Sequence, residues 1–404
     1  MVEASAQFEK ALKLLAELPE TTTRRKHEVD LRLMLFRAYL MRGEIGPMTA
    51  TLTGAVETAK ALGDERRLAL ATAQLAMAQW MQGDHVAAAD AARFVLEHAR
   101  RTNDLPLQIF GKHTLANAEH GQGRLEDAIS LHRQIIETLA QHGIENQRLG
   151  WAGLPSVMSR AFLAWFLIEA GQFDDARKQI EAGCALADAE KQPYSQVLIH
   201  AGEGLYHLRR GYPERAVPIL EPTLKMCRRV FTMEALLSGW LGTALVQLGR
   251  PADALAVTQD SFRRRAHLAG GMYTWFYLFK ALGEAHAGLG NAAEALAWAD
   301  KAIQVTTDAQ ESLHYAQGLK CRGDVRLQLA LPAEAAVDDL EEARQIAKGH
   351  GLLPLVAECD LSLARAIERL GRRREAGRLA SRAAQAFRAL GLERRVADAE
   401  SLTT

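Results

Sequence analysis

A short pattern recurs along this chain at a nearly constant interval, and no other feature constrains its fold as strongly. QGDHVAAA from Gln82, QGRLEDA from Gln122, AGQFDDA from Ala170 and RGYPERA from Arg210 are followed by LGRPADA from Leu248, LGNAAEA from Leu289, LALPAEA from Leu329 and LGRRREA from Leu370. Gly stands at 83, 123, 171, 211, 249, 290 and 371, and Ala330 takes its place once. Successive spacings are 40, 48, 40, 38, 41, 40 and 41 residues, and Gly43 extends the series by another 40. Five residues after each turn residue stands Ala, from Ala88 and Ala128 through Ala216 and Ala254 to Ala376. Seven residues before it stands Ala or Gly, from Ala76 and Ala116 through Gly204 and Gly242 to Ala364, usually with Leu just ahead.

Two small residues at fixed offsets around a glycine turn describe a helical hairpin. Antiparallel helices approach closely only where side chains are small, and glycine ends the first helix in a left-handed conformation at low cost. One hairpin cannot bury its apolar face alone, so hairpins stack into a solenoid. The expected fold is all-α, a right-handed α-α superhelix of about nine helix pairs. Residues 1–24 are expected to hold an orphan helix, residues 25–390 the hairpins, and residues 391–404 a cap and tail. The orphan, ASAQFEKALKLLAEL at residues 4–18, looks like the second helix of a hairpin. That suggests a chain starting in mid-repeat, with one orphan and nine pairs making nineteen helices.

The order Leu–small, seven residues, Gly, five residues, Ala resembles the tetratricopeptide repeat (TPR), whose units of about 34 residues are shorter than these. The longer form resembles the TPR regions of large bacterial signalling proteins. AGLPSVMSRAFLAWFLIEAG (Ala152 to Gly171), QPYSQVLIHAGEGLYHLRRG (Gln192 to Gly211) and HGLLPLVAECDLSLARAIERLGRRREA (His350 to Ala376) are similar to segments found C-terminal to class III adenylate/guanylate cyclase and AAA-type ATPase modules. The resemblance implies a cytoplasmic, non-catalytic scaffold for a protein or peptide partner, or for an upstream catalytic module in the same protein. It leaves a second reading, a sensor of a sugar-like metabolite, similar in role to the TPR-like region of the bacterial maltose-regulon activator.

In that family the groove is lined by the first helix of each hairpin, 13, 10, 6 and 3 residues before the turn. Carried onto this chain, the offsets give Met77 and Trp80, then Phe110, His113, Asn117 and His120, then Met158 and Trp165. Later hairpins place Tyr277, Lys280, Glu284, Gln317, Lys320 and Asp324 there. The partner is therefore expected on the aromatic half, because large apolar groups exposed together usually bind something. The alternative is that Trp80 and Trp165 fill the core. Eight extra residues fall in HGIENQRLGWAGLP (His142 to Pro155), a loop whose Trp151 would either rim the groove or cover the core.

Other functions find no support in the residues. Lys plus Arg and Asp plus Glu balance at 49 each, so the basic footprint of nucleic-acid binding is missing. Ten Arg between Arg365 and Arg395 are read as a solvated terminal face. No apolar run reaches the roughly 18 residues that span a membrane. Cys184, Cys227, Cys321 and Cys359 have no near Cys or His at metal-ligand spacing. They are read as small buried hydrophobes, with no metal and no cofactor expected. No phosphate-binding loop or nucleophile elbow is present, and no catalytic constellation is found.

Overall fold

A computed structural model of the chain describes residues 2–230, 233–265 and 275–402. Twenty helices and no strand occur among the described residues. Helix α1 (Val2–Ala16) precedes nine antiparallel pairs. These are α2 (Thr22–Arg42) with α3 (Ile45–Ala61), α4 (Glu65–Gln82) with α5 (His85–Arg101), and α6 (Leu105–Gly121) with α7 (Leu125–Gln141). Then come α8 (Pro155–Ala170) with α9 (Phe173–Ala189), α10 (Pro193–Arg209) with α11 (Pro213–Val230), and α12 (Glu234–Gln247) with α13 (Pro251–Arg265). The last are α14 (Trp275–Gly288) with α15 (Ala292–Asp308), α16 (Ser312–Gln328) with α17 (Ala333–Gly349), and α18 (Leu353–Arg369) with α19 (Arg373–Ala389). A short α20 (Glu393–Glu400) makes the count twenty rather than nineteen.

Every hairpin turn falls where the repeat placed it. The seven turn glycines and Gly43 all have φ between 72° and 87°, and Ala330 adopts φ 53°. In the early hairpins an Asp after the turn or loop caps the next helix. Asp64, Asp84 and Asp104 accept hydrogen bonds from the backbone N–H groups of Arg67, Ala87 and Leu107, which satisfies donors that a helix start leaves free. The small residues sit at the crossings. Ala88, Ala128, Ala216 and Ala254 are fully buried. A methyl on Gly204 would come within 2.4 Å of Leu220, and one on Gly242 within 2.7 Å of Thr258.

The superhelix is wound tightly enough to touch itself. His85 Nε2 donates to Glu311 Oε1 at 2.7 Å, 226 residues away. His350 Nδ1 donates to the carbonyl of Gly123 at 3.0 Å, 227 residues away. With repeats of about 40 residues, one turn of the superhelix therefore takes between five and six hairpins. Turn residues of hairpins two to five meet the inter-hairpin loops of hairpins seven to nine and the segment before α20. Gly171 packs on Leu390 and Pro354, and Arg394 donates to the carbonyl of Gly211.

The expected solvated C-terminal face is present, since Arg365, Arg369, Arg372, Arg373, Arg374, Arg378, Arg382, Arg388 and Arg394 are exposed, but the closure covers its apolar side. Leu392, Val396 and Ala399 are buried. Arg394 pairs with Glu214, Arg382 with the buried Asp360, and Arg388 with Glu400. Some of these exposed arginines thus also tie neighbouring helices together or bridge the superhelical turn.

Candidate ligand groove

The first helices of successive hairpins face inward, as the repeat offsets required. In so narrow a superhelix they meet one another near the axis. His113, Asn117 and His120 are buried, as are Met77, Met158 and Trp165. Trp80, Phe110 and Trp151 are half-buried. The structure gathers these residues but packs them against each other, so the expectation of an exposed aromatic groove in hairpins two to four is corrected. Phe110 and His113 both meet the edge of Trp151, at 5.1 and 5.0 Å between ring centres. The extra loop thus lays Trp151 over the end of this column, the covering role of its two readings. His113 also meets Phe162, and His120 stacks on Phe166 at 4.1 Å.

The polar groups in the column bond one another in part, while the buried Nδ1 atoms of His113 and His132 have no hydrogen-bond partner among the described residues. Asn117 donates to His113 Nε2 at 3.2 Å and accepts from His132 Nε2 at 3.3 Å. Burial lowers the His113 pKa to about 3. Burial, with the nearby His113 and His120, takes His132 well below the usual histidine value. Both rings are therefore held neutral. Deeper in, Glu169 accepts from His120 Nε2 at 2.7 Å and from Trp165 Nε1 at 2.9 Å. Burial alone would raise the Glu169 pKa, but the charge and hydrogen bond of His120, with help from His314 and Trp165, bring it down to about 2. Glu311, bonded to His85 and His314, is likewise held at about 2 against its burial, chiefly by His314. His314 also bonds the hydroxyl of Tyr277 at 2.8 Å. The His85–Glu311 pair ties hairpin two to hairpin eight and so serves the closure of the superhelix, while His120–Glu169 joins the neighbouring hairpins three and four.

Beyond Trp165 the groove opens. A cavity of about 760 Å³, open solvent at its mouth included, lies among α8, α10, α12, α14, α16 and α18. Trp165, Trp240 and Tyr277 form its floor, edge to face at 5.5–5.8 Å. Its walls carry Arg209, Lys280, Lys320 and Arg395, with Glu284 and Glu358. Glu358 lies 3.8 Å from Arg209 and 3.9 Å from Lys320. Burial would raise the Glu358 pKa, but Arg209, Lys320, Arg395 and Lys280 together draw it down to about 2. Burial works against the ammonium of Lys320, yet Asp324 and Glu358 keep its pKa raised. Among the described residues Arg209 makes no side-chain hydrogen bond, and the buried Nε of Arg395 has no partner. The cavity thus has an aromatic floor and four cations on its walls, of which Arg209 stands beyond hydrogen-bond distance of Glu358.

The open part of the groove is therefore the charged half, not the aromatic half on which the partner was expected. Tyr277, Lys280, Glu284, Gln317 and Lys320 were already on the groove offsets. Arg209, Trp240, Glu358 and Arg395 were missed. Glu358 stands at the same 13-residue offset in the ninth hairpin, so the repeat could have found it. Arg395 lies in α20, outside the repeat, and only the superhelical closure brings it in.

A second cluster was invisible in the spacing. Cys184, half-buried on α9, meets His200 and Glu203 of α10, and the donor atoms of all three lie within 4.8 Å of one another. Cys227, Cys321 and Cys359 are buried as expected, and all four cysteines are free.

The tetratricopeptide repeat family model matches residues 69–93, 157–182, 235–259 and 281–301. These four stretches are tetratricopeptide repeats. They cover the crossings of the second, fourth, sixth and seventh hairpins. No curated protein matches the chain. Among solved structures, the chain is similar to a Rap protein complexed with Competence and Sporulation Factor. The identity is 13%, the TM-score 0.64, and the match covers 90% of this chain and 99% of that one. It is also similar, with a TM-score of 0.48 and 13% identity, to a Signal Transduction ATPase with Numerous Domains protein with a TPR sensor from Pyrococcus horikoshii. That match covers 92% of this chain and 55% of the other. The likeness fixes a TPR-like α-α superhelix. No described helix is long and apolar enough to cross a membrane.

Proposed function

We propose that this chain is a non-catalytic TPR scaffold that binds a segment of a protein partner in its charged cavity, as the regulatory or sensor region of a bacterial signalling protein. One observation carries the reading. The guanidinium of Arg209, which stands beyond hydrogen-bond distance of Glu358, shares with Lys280, Lys320 and Arg395 the walls of a cavity floored by Trp165, Trp240 and Tyr277. A carboxylate meets a guanidinium with paired, charge-assisted hydrogen bonds. The bound segment therefore carries a carboxylate, from an acidic side chain or a chain end, beside an apolar side chain that covers the indoles. Tetratricopeptide repeats are commonly protein-interaction scaffolds. The Rap protein, with which this chain shares its fold, was solved in complex with Competence and Sporulation Factor.

A second reading, a small anionic metabolite, is favoured by the lining, an apolar floor of Trp165, Trp240 and Tyr277 with a few convergent charged groups on the walls. Panning a random peptide library against the full chain, with counter-selection on Arg209→Gln and Trp240→Ala, separates the two. The expected result is an enriched family of acidic peptides that both variants lose, with Arg209→Gln costing about 2 kcal/mol of binding. If no peptide depends on these residues while small carboxylates raise the melting temperature, the metabolite reading replaces the first.

A further inference from the structure

We propose that Cys184, His200 and Glu203 form a zinc site that pins hairpin four to hairpin five. Cys184 lies on α9, while His200 and Glu203 stand three residues apart on one face of α10. Gly183 lets the two helices close. A methyl there would come within 2.6 Å of the Ile199 side-chain end, so a larger residue would require Ile199 to repack.

The distances fit a metal. Cys184 Sγ lies 3.7 Å from His200 Nδ1 and 3.9 Å from Glu203 Oε2, and the last two atoms are 3.1 Å apart. Zinc bonds of about 2.3 Å to sulfur and about 2.0–2.2 Å to nitrogen and oxygen, at tetrahedral angles, set donor pairs roughly 3.4–3.6 Å apart. The cluster meets that spacing to within a few tenths of an ångström, so an ion enters with small side-chain shifts.

The surroundings fit as well. A zinc-bound histidine ordinarily turns its second nitrogen to a carboxylate. Here His200 Nε2 faces Asp188 Oδ1 at 3.6 Å, and Gln196 holds that carboxylate with a 2.9 Å hydrogen bond. The side chains of His200 and Glu203 are 27% and 32% exposed, so an ion can reach them from solvent and water can take the fourth position. Thiolate and imidazole favour zinc over magnesium or calcium, which prefer oxygen.

The test uses the full chain, reduced and freed of metal, titrated with Zn²⁺ against a chromophoric chelator and separately with Co²⁺. We expect one ion per chain. The Co²⁺ form should show thiolate-to-metal charge-transfer absorption and the strong visible bands of tetrahedral coordination. Cys184→Ser should remove the charge-transfer band, and the double variant Cys184→Ser/His200→Gln should abolish binding. Asp188→Asn, which touches no metal, should weaken affinity roughly 10–100-fold. Circular dichroism should show all variants folded, because none of these side chains is in the core. Failure of the parent to bind Zn²⁺, or equal binding by the double variant, would mean that the three groups form only a hydrogen-bonded cluster and would overturn the site.

Discussion

Acidification from about pH 7 to about pH 5 should weaken this fold through two buried histidines, and the structure gives the amount. His113 on α6 and His132 on α7 are held neutral by burial, His113 with a pKa of about 3 against an ordinary 6.5. A histidine whose folded pKa is depressed gives the unfolded chain the greater affinity for protons, so its stabilisation is present above pH 6.5 and is lost as pH falls. Between 6.5 and 5 the loss runs over 1.5 units at about 1.4 kcal/mol each, or about 2 kcal/mol for His113, and His132 adds to it in the same direction. Other groups leave this window nearly clear. His200 and His314 have raised values, so their stabilisation is already complete below 6.5 and is lost only as pH rises. Glu169, Glu311 and Glu358, depressed to about 2, act only below 4.5. Half-buried His207, also lowered, adds a smaller share in the same direction. Urea melts of the parent and of His113→Gln at the two pH values make the comparison. The variant is less stable at both, since its ring contacts with Trp151 and Phe162 are gone, but it should lose about 2 kcal/mol less on acidification. Parallel losses in parent and variant would refute the argument that His113 is buried and neutral.

Gly239→Ala and Gly377→Ala should move stability in opposite directions. A methyl on Gly239 would lie 2.4 Å from the backbone carbonyl of Tyr277, whereas one on Gly377 meets nothing within 4 Å. Thermal melts should show Gly239→Ala losing about 3 kcal/mol or more by overpacking and Gly377→Ala gaining up to about 1 kcal/mol of helix propensity. Ala330→Gly should stabilise by up to about 1 kcal/mol, since Ala330 alone among the nine hairpin turns holds φ 53° with a side chain; an unchanged urea midpoint would contradict this. Trp165→Ala should cost about 3–5 kcal/mol, because the indole is 4% exposed and its N–H serves Glu169. A folded chain of parental stability would mean that Trp165 is a free anchor after all.

The repeat made the fold legible because every determinant of a hairpin is local. Gly211 supplies the left-handed turn, and Gly204 and Ala216 supply the crossing, all within a dozen residues. The groove-facing positions were equally legible, since the same offsets that chose Trp165 also chose Tyr277 and Lys320. Whether a groove position is open or filled depends instead on how far each hairpin rotates against the last. Small rotations accumulate over five or six hairpins before His85 reaches Glu311 and His350 reaches Gly123. No local pattern encodes that sum, so aromatic positions counted as exposed became the packing of the axis. The chemistry of these residues nonetheless hinted at the result. His113, Asn117 and His120 lie on one helix face beside Phe110, and such polar groups among aromatics can be buried only with partners. Those partners, His132 and Glu169, sit on neighbouring helices, and Gln317 reaches Glu169 from the next superhelical turn at 3.4 Å. A charged cavity survives next to them for the same reason. Charges are costly to desolvate, and Arg209 and Lys320 keep part of their side chains exposed beside the buried Glu358, where the groove stays open.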